Sequence, residues 1–195
     1  MSITIKPLTP ELAGDYFGFF ENRAFTDDSP YRCYCQMYQM SKEQSKAADE
    51  SLIGLDAREA SREVAARQIR AGILRGYLAY AEGISIGWCN ANDRANYPAE
   101  PLYDVPFHMP AEKREKAVVC FEIAPEHRGK GVATALLQQV ITDAKAEGYV
   151  SVAGFPVARK ERFEWDHHGP IRLYEKAGFV KAGEQGGFAV MRKEL

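Results

Sequence analysis

Residues 118–135, VVCFEIAPEHRGKGVATA, constrain this chain more than any other stretch. An apolar run through Val118, Val119, Phe121 and Ile123 breaks at Pro125. A short turn with Gly129 and Gly131 then opens into a segment whose apolar residues Val132, Leu136, Leu137, Val140, Ile141 and Ala144 recur at helical spacing. The pattern is strand, tight turn, helix. Glycines at the turn let backbone come close to a ligand without an intervening side chain. The helix start aims unpaired N–H groups and the positive end of its dipole at the same corner, which suits a phosphate-bearing ligand. The turn is neither Gly-x-x-x-x-Gly-Lys-Ser/Thr nor Gly-x-Gly-x-x-Gly after an early strand, which sets aside the two commonest nucleotide loops.

The rest of the chain is read around that corner. Residues 2–8 alternate as a strand, and Thr9-Pro10 starts a helix with Thr9 as N-cap and Leu12, Tyr16, Phe19 and Phe20 on its apolar face. Residues 41–50 are polar and form a surface helix or loop. Asp56 and Glu59 have capping-box spacing ahead of a helix to residue 73, with Ala60, Val64, Ile69 and Ile73 as its apolar stripe. Residues 75–81 and 84–90 form a hairpin about Glu82-Gly83. Strands at 117–124 and 149–155, a short helix from Gly169-Pro170 to Ala177, and two strands at 179–183 and 188–192 complete the order. Period-two spacing places Val118, Cys120 and Glu122 on one side of the central strand. The stretches 25–40, 92–116 and 156–168 have no clear period. The first mixes Tyr, Cys and Met and is either the lining of an acceptor pocket or a core-packed loop. The second carries Tyr97, Tyr103, Asp104 and His108, and the third Trp165, His167 and His168.

At 195 residues, 46% hydrophobic and 27% charged, the chain suits one domain, 1–195, with an elaborated N-terminal segment at about 25–55. The formal net charge is -2 and no basic block stands out, against a nucleic-acid partner. There is no signal-peptide core and no run of about 18 apolar residues, so no membrane partner and a cytoplasmic location are expected. There are four cysteines, with Cys33 and Cys35 flanking one residue, and all four are expected to be reduced. Cys33, Cys35, His167 and His168 lack metal-ligand spacing, so no metal is expected.

Arg128-x-x-Gly131-x-Ala133 follows the central strand, and Leu173-Tyr174-Glu175-Lys176-Ala177-Gly178-Phe179 stands some forty residues later. In that order and on those elements the chain resembles the GNAT superfamily of acetyl-CoA-dependent N-acetyltransferases over roughly residues 117–193. The resemblance implies an α/β (α+β) fold, a mixed sheet of about seven strands with a splayed pair, flanked by helices. It implies that backbone atoms of Phe121 to Ile123 line the pantetheine of acetyl-CoA, with a backbone N–H there polarising the acetyl carbonyl. It implies that the loop Arg128, Gly129, Lys130, Gly131, Val132 and Ala133 holds the diphosphate. Tyr174 matches the family's tyrosine beside the sulfur, a general acid or else a core tyrosine. Glu122 is a candidate general base or else a structural carboxylate, with His108 and His168 as further candidates. His167 stands where many members have an asparagine, and Pro170 where a small residue is common.

The function this implies is acetyl transfer to a primary amine of a small molecule or peptide by direct attack in a ternary complex. A protein N-terminus or lysine as acceptor, another acyl group, and a non-catalytic acyl-CoA-binding module are the alternatives. Asp27, Asp28, Glu100 and Asp104 would suit a cationic acceptor, and a homodimer fits the family.

Overall fold

The strand signals assemble into one mixed sheet. The computed structural model describes residues 2–27, 32–98, 114–158 and 166–195. Its strands are β1 (Thr4–Pro7), β2 (Gly76–Ala81), β3 (Ile84–Asp93), β4 (Glu115–Ile123), β5 (Ser151–Gly154), β6 (Val180–Gln185) and β7 (Phe188–Glu194). They lie in the order β1-β2-β3-β4-β5-β7-β6, with β4 and β5 parallel and the other pairs antiparallel. Helices α1 (Ala13–Asn22) and α3 (Ala57–Arg70) pack on one face; α4 (Val132–Ala146) and α5 (Ile171–Lys176) pack on the other. A further helix, α2 (Lys42–Ser51), buries no residue and leans on α3. None of the described helices is long and apolar enough to cross a membrane.

Local chemistry explains most boundaries. Asp56 accepts from the N–H groups of Arg58 and Glu59 while Glu59 reaches back to the Asp56 N–H, a complete capping box. Ser41 and Gln44 form a second one, which makes 42–51 a helix. Glu82 and Gly83 both take positive φ, as a two-residue hairpin turn requires. Thr9 makes no side-chain cap, and a 3-10 turn at Pro10–Leu12 precedes α1.

Three expectations need correction. The buried stripe of α3 is Ala65, Ala66, Gln68 and Ile69, and the helix stops at Arg70; Ile73 lies beyond it, 43% exposed. The stretch after Asn90 is not all loop, since β3 runs on to Asp93, a 3-10 turn takes Arg94–Asn96 and β4 begins at Glu115. Val118 does not share a face with Cys120. Asn90 pairs with Cys120 but Ala91 with Val118, so Val119 is an extra residue in a β-bulge. The bulge turns Val118 toward α4, whereas Val119 and Cys120 both face α1 and α3.

The parallel pairing of β4 and β5 covers only Glu115↔Ser151 to Val118↔Gly154. Beyond Gly154 the chain stays with β7, through the Ala189 N–H to Pro156 O bond and the Val157↔Phe188 bridge, and leaves β4 behind. At the closed end of this V, the buried carboxylate of Glu115 binds Arg94, Arg192 (2.6 Å) and Ser151 (2.9 Å). Burial pushes the Glu115 carboxyl up, but these donors outweigh it and hold it below the usual range. At the crotch, Gly154 faces the Tyr174 ring so closely that a Cβ would lie 2.0 Å from it. Gly154→Ala is therefore expected to destabilise the fold by about 1–3 kcal/mol through overpacking. Thermal unfolding reads this as a midpoint lowered by about 2–4 °C per kcal/mol. An unchanged midpoint would mean that Tyr174 yields freely.

Candidate active site

Where β5 leaves, β4 presents one edge without a neighbouring strand. The N–H of Ala124 bonds Ile86 on β3, so by strand alternation the main-chain groups of Phe121 and Ile123 point to the free edge. Three of the edge groups have partners from the chain itself. The Phe121 N–H donates to the main-chain oxygen of His167 at 2.6 Å. The Val119 oxygen accepts from Nδ1 of His168 at 2.9 Å; a carbonyl cannot donate, so this nitrogen carries the proton. The Ile123 oxygen accepts from Nε of Arg128 at 3.0 Å.

Tyr174, near the middle of α5, is fully buried against Gly154, Phe121 and Phe179. Its hydroxyl donates to the His168 main-chain oxygen at 2.8 Å. Burial pushes the phenol well above its usual range, so it keeps its proton at neutral pH. The sequence-predicted acid thus lies at the crotch of the V, its hydroxyl bonded to the His167–His168 segment, which also lies along β4.

Glu122 is on the opposite face from Phe121 and is mostly buried. Burial lifts its carboxyl to about 7, although the Arg128 guanidinium 3.3 Å away pulls it down; Asp27 adds to the rise. Desolvation here outweighs an ion pair whose guanidinium is shared. Arg128 also binds the Asp27 carboxylate, so one side chain ties residue 27 to Glu122 and to the end of β4. Asp27 is thereby engaged in the protein. Of the other acids named for a cationic acceptor, Asp28, Glu100 and Asp104 lie outside the described residues, as do Tyr103, His108 and Trp165.

The rest of the predicted loop is arranged as a phosphate site requires. Gly129 and Gly131 both take positive φ (73° and 85°), and a Cβ on either would meet open space. Gly131 caps α4, whose first internal bond runs from the Ala135 N–H to the Gly131 oxygen. The N–H groups of Val132, Ala133 and Thr134 therefore emerge at the helix end. Lys130 is exposed beside them, and Val132 packs into the core next to Ile123.

Sequence reasoning missed a polar layer on the α1 side. Asn90, fully buried, accepts from Gln39 (3.0 Å) and Tyr97 (3.2 Å) and donates to the oxygen and sulfur of Cys35 (3.2 and 3.3 Å). Cys35 holds φ 52°, an unusual conformation for a side-chain-bearing residue. Burial pushes its thiol up, but hydrogen bonds from Cys120 and Asn90 outweigh it and hold it below the usual thiol range. Cys33, with burial as the chief cause, is pushed up to about 12. All four cysteines are free. Among the described residues no group of three His, Cys, Asp or Glu side chains is placed to hold a metal ion. Tyr38, from the 25–40 stretch, meets Nε2 of His167 at 2.6 Å. No local spacing in the sequence signals that contact, which joins residues 129 positions apart. The 25–40 stretch is both core and lining: Tyr34, Cys35 and Met40 are buried, whereas Tyr38 is half-exposed beside the V.

Comparison with known proteins agrees with this geometry. The solved structures it resembles include a GNAT-family acetyltransferase from Streptococcus pneumoniae (19% identity, TM-score 0.57, 100% of this chain and 99% of that one). Others are the GNAT domain of PAT from S. lividans (18%, 0.58, 98% and 89%) and the PaiA N-acetyltransferase of Thermoplasma acidophilum, solved with coenzyme A (16%, 0.55, 100% and 100%). At these identities the likeness is one of fold. No curated protein sequence matches the chain. The profile of the acetyltransferase (GNAT) family matches residues 37–179, well over half of the sequence. With its mixed seven-stranded sheet, its parted β4 and β5 and the glycine turn that starts α4, the chain belongs to the GNAT acetyltransferase family.

Proposed function

We propose that the protein transfers an acetyl group from acetyl-CoA to a primary amine of a small molecule or peptide, by direct attack in a ternary complex. The observation that carries this is the parting of β4 from β5 with Tyr174 at its crotch and the α4 N-terminus at its mouth. An extended pantetheine arm fits the free edge of β4 as an added strand would. The diphosphate then falls on the N–H groups from Arg128 to Ala133. The related T. acidophilum enzyme was solved with coenzyme A, which supports an acyl-CoA donor.

The chemistry divides between two faces of β4. Glu122, raised to about 7, takes a proton from the acceptor so that a neutral nitrogen attacks the acetyl carbon. The C–N bond forms and the C–S bond breaks. The departing thiolate takes the Tyr174 proton; Glu122 then gives its proton up to solvent, and solvent reprotonates Tyr174, so the cycle closes with no net change in protons on the protein. A backbone N–H in the stretch Phe121 to Ile123 polarises the carbonyl meanwhile.

The sign of the pH dependence follows. Below about pH 7 Glu122 is protonated and cannot accept a proton, so kcat/KM should fall about tenfold per unit on the acid side. Glu122→Gln should lose roughly 10²- to 10⁴-fold in kcat and flatten that limb. A pH-rate profile in which the variant keeps the limb would move the base elsewhere.

A second reading, an acyl-CoA-binding module without turnover, draws on one observation: the Phe121 N–H and the Tyr174 hydroxyl are both engaged by His167–His168. Thiol release from acetyl-CoA across a panel of amines separates the two. Turnover is expected; binding without release supports the module. Tyr174→Phe should lower kcat at least tenfold while acetyl-CoA still binds at least as tightly as to the wild type, since the change removes the proton donor and the hydroxyl's bond to the His168 oxygen but leaves the diphosphate loop untouched. Equal kcat in both proteins would remove the acid role.

A further inference from the structure

The free edge of β4 is capped at three points. Val119 O is held by His168 Nδ1–H, Phe121 N–H by His167 O, and Ile123 O by Arg128 Nε. An unpaired edge inside a fold is costly and calls for such partners. The same two histidines reach the other wall of the V, because the His168 oxygen holds the Tyr174 hydroxyl. Their imidazole rings lie against each other at 4.1 Å between centroids, and Tyr38 secures His167 from the acceptor side. Gly169, at φ 74°, follows directly and lies against Phe121 and Leu173, where a Cβ would approach to 3.1 Å. The segment therefore leaves the edge through a residue that an ordinary side chain would crowd.

We infer that the His167–His168 segment is a built-in occupant of the β4 edge that the pantetheine arm must displace, with His168 as the positioning residue. This rests on the proposed acyl-CoA reading. Binding is then an exchange of hydrogen bonds. The pantetheine amides take over Phe121 N–H and Ile123 O from His167 O and Arg128 Nε, and His168 lets go of Val119 O. The exchange also releases the Tyr174 hydroxyl from the His168 oxygen, so the acid becomes available only when a thioester lies beside it. His168 thereby tunes both affinity for the donor and the readiness of the acid, without touching the reacting atoms.

Coenzyme A itself is the probe, titrated into the full chain. His168→Ala removes the donor to Val119 O and should bind coenzyme A about two- to tenfold more tightly, the equivalent of one hydrogen bond. His168→Asn, whose amide nitrogen occupies the place of Nδ1, should return the Kd to the wild-type value. Equal Kd values in all three proteins would overturn the inference. A second measurement needs no variant. In ¹⁵N-histidine-labelled wild-type protein the His168 Nδ1–H proton should exchange slowly when free and rapidly once coenzyme A is saturating. A proton equally protected in the complex overturns the inference and leaves the acyl-CoA reading intact. No binding of coenzyme A by any of the proteins would instead remove the acyl-CoA reading, and the inference with it.

Discussion

The parting of β4 from β5 after Val118 and Gly154 is the constraint on which the rest of the structure depends. A buried strand that loses its neighbour exposes N–H and C=O groups at the very place where water is excluded, and each orphaned group costs about 1–3 kcal/mol. The fold answers at both ends of the V. At the closed end, Glu115 gathers Arg94, Arg192 and Ser151, joining β4 to β5 and β7 so that the separation does not propagate backward. At the open end, Arg128 and residues 167–168 supply the missing partners. Gly154 completes the arrangement, because only a residue without Cβ lets the Tyr174 ring enter the crotch.

Charge is distributed by the same geometry. Glu122 lies on the α1 side of β4 and Tyr174 on the α4 side, so base and acid candidates approach the strand edge from opposite faces. Their environments push in directions that suit those roles. Burial chiefly governs the phenol, with Cys89, Asp166 and Cys120 adding to the rise, and it stays protonated. The carboxyl feels burial and a guanidinium together, and burial prevails, leaving it poised near neutrality. Had Arg128 bound Glu122 alone, the ion pair would have pulled the carboxyl lower. Sharing the guanidinium with Asp27 and the Ile123 oxygen weakens that pull.

What the sequence made legible was local. The Asp56–Glu59 box, the Glu82-Gly83 hairpin, the strand–glycine turn–helix at 118–135 and the short helix ending in Gly178 all depend on residues a few positions apart. Their propensities and spacings carry the signal directly. The bulge at Val119 could not be read, because it is set by pairing with Asn90 and Ala91 across a sheet; a one-residue slip then reverses Val118. Periodicity places Ile73 on the apolar stripe, but the helix it would continue ends three residues earlier. The site was legible as a list and not as an arrangement. Motif and chemistry single out Tyr174, Glu122 and the glycine turn as candidates. The Asn90 layer around Cys35, the Arg128–Asp27 tie and the Tyr38–His167 contact join residues 55, 101 and 129 positions apart, where no periodicity reaches.

Arg128 shows why that arrangement matters more than the list. By motif it belongs to the diphosphate loop, and Gly129 and Gly131 beside it have the backbone that role requires. By contact it also serves the N-terminal segment, since its guanidinium reaches Asp27 there and the Glu122 carboxylate. A single side chain therefore joins the glycine turn to the N-terminal segment and to the Glu122 face of β4. A displacement of the turn would alter the field at Glu122, and a displacement of Asp27 would pull on the turn. Coupling of this kind needs no long pathway through the core, only one rigid planar cation with partners on both sides. A lysine in its place could keep the charge but could not hold Ile123, Glu122 and Asp27 together in one plane.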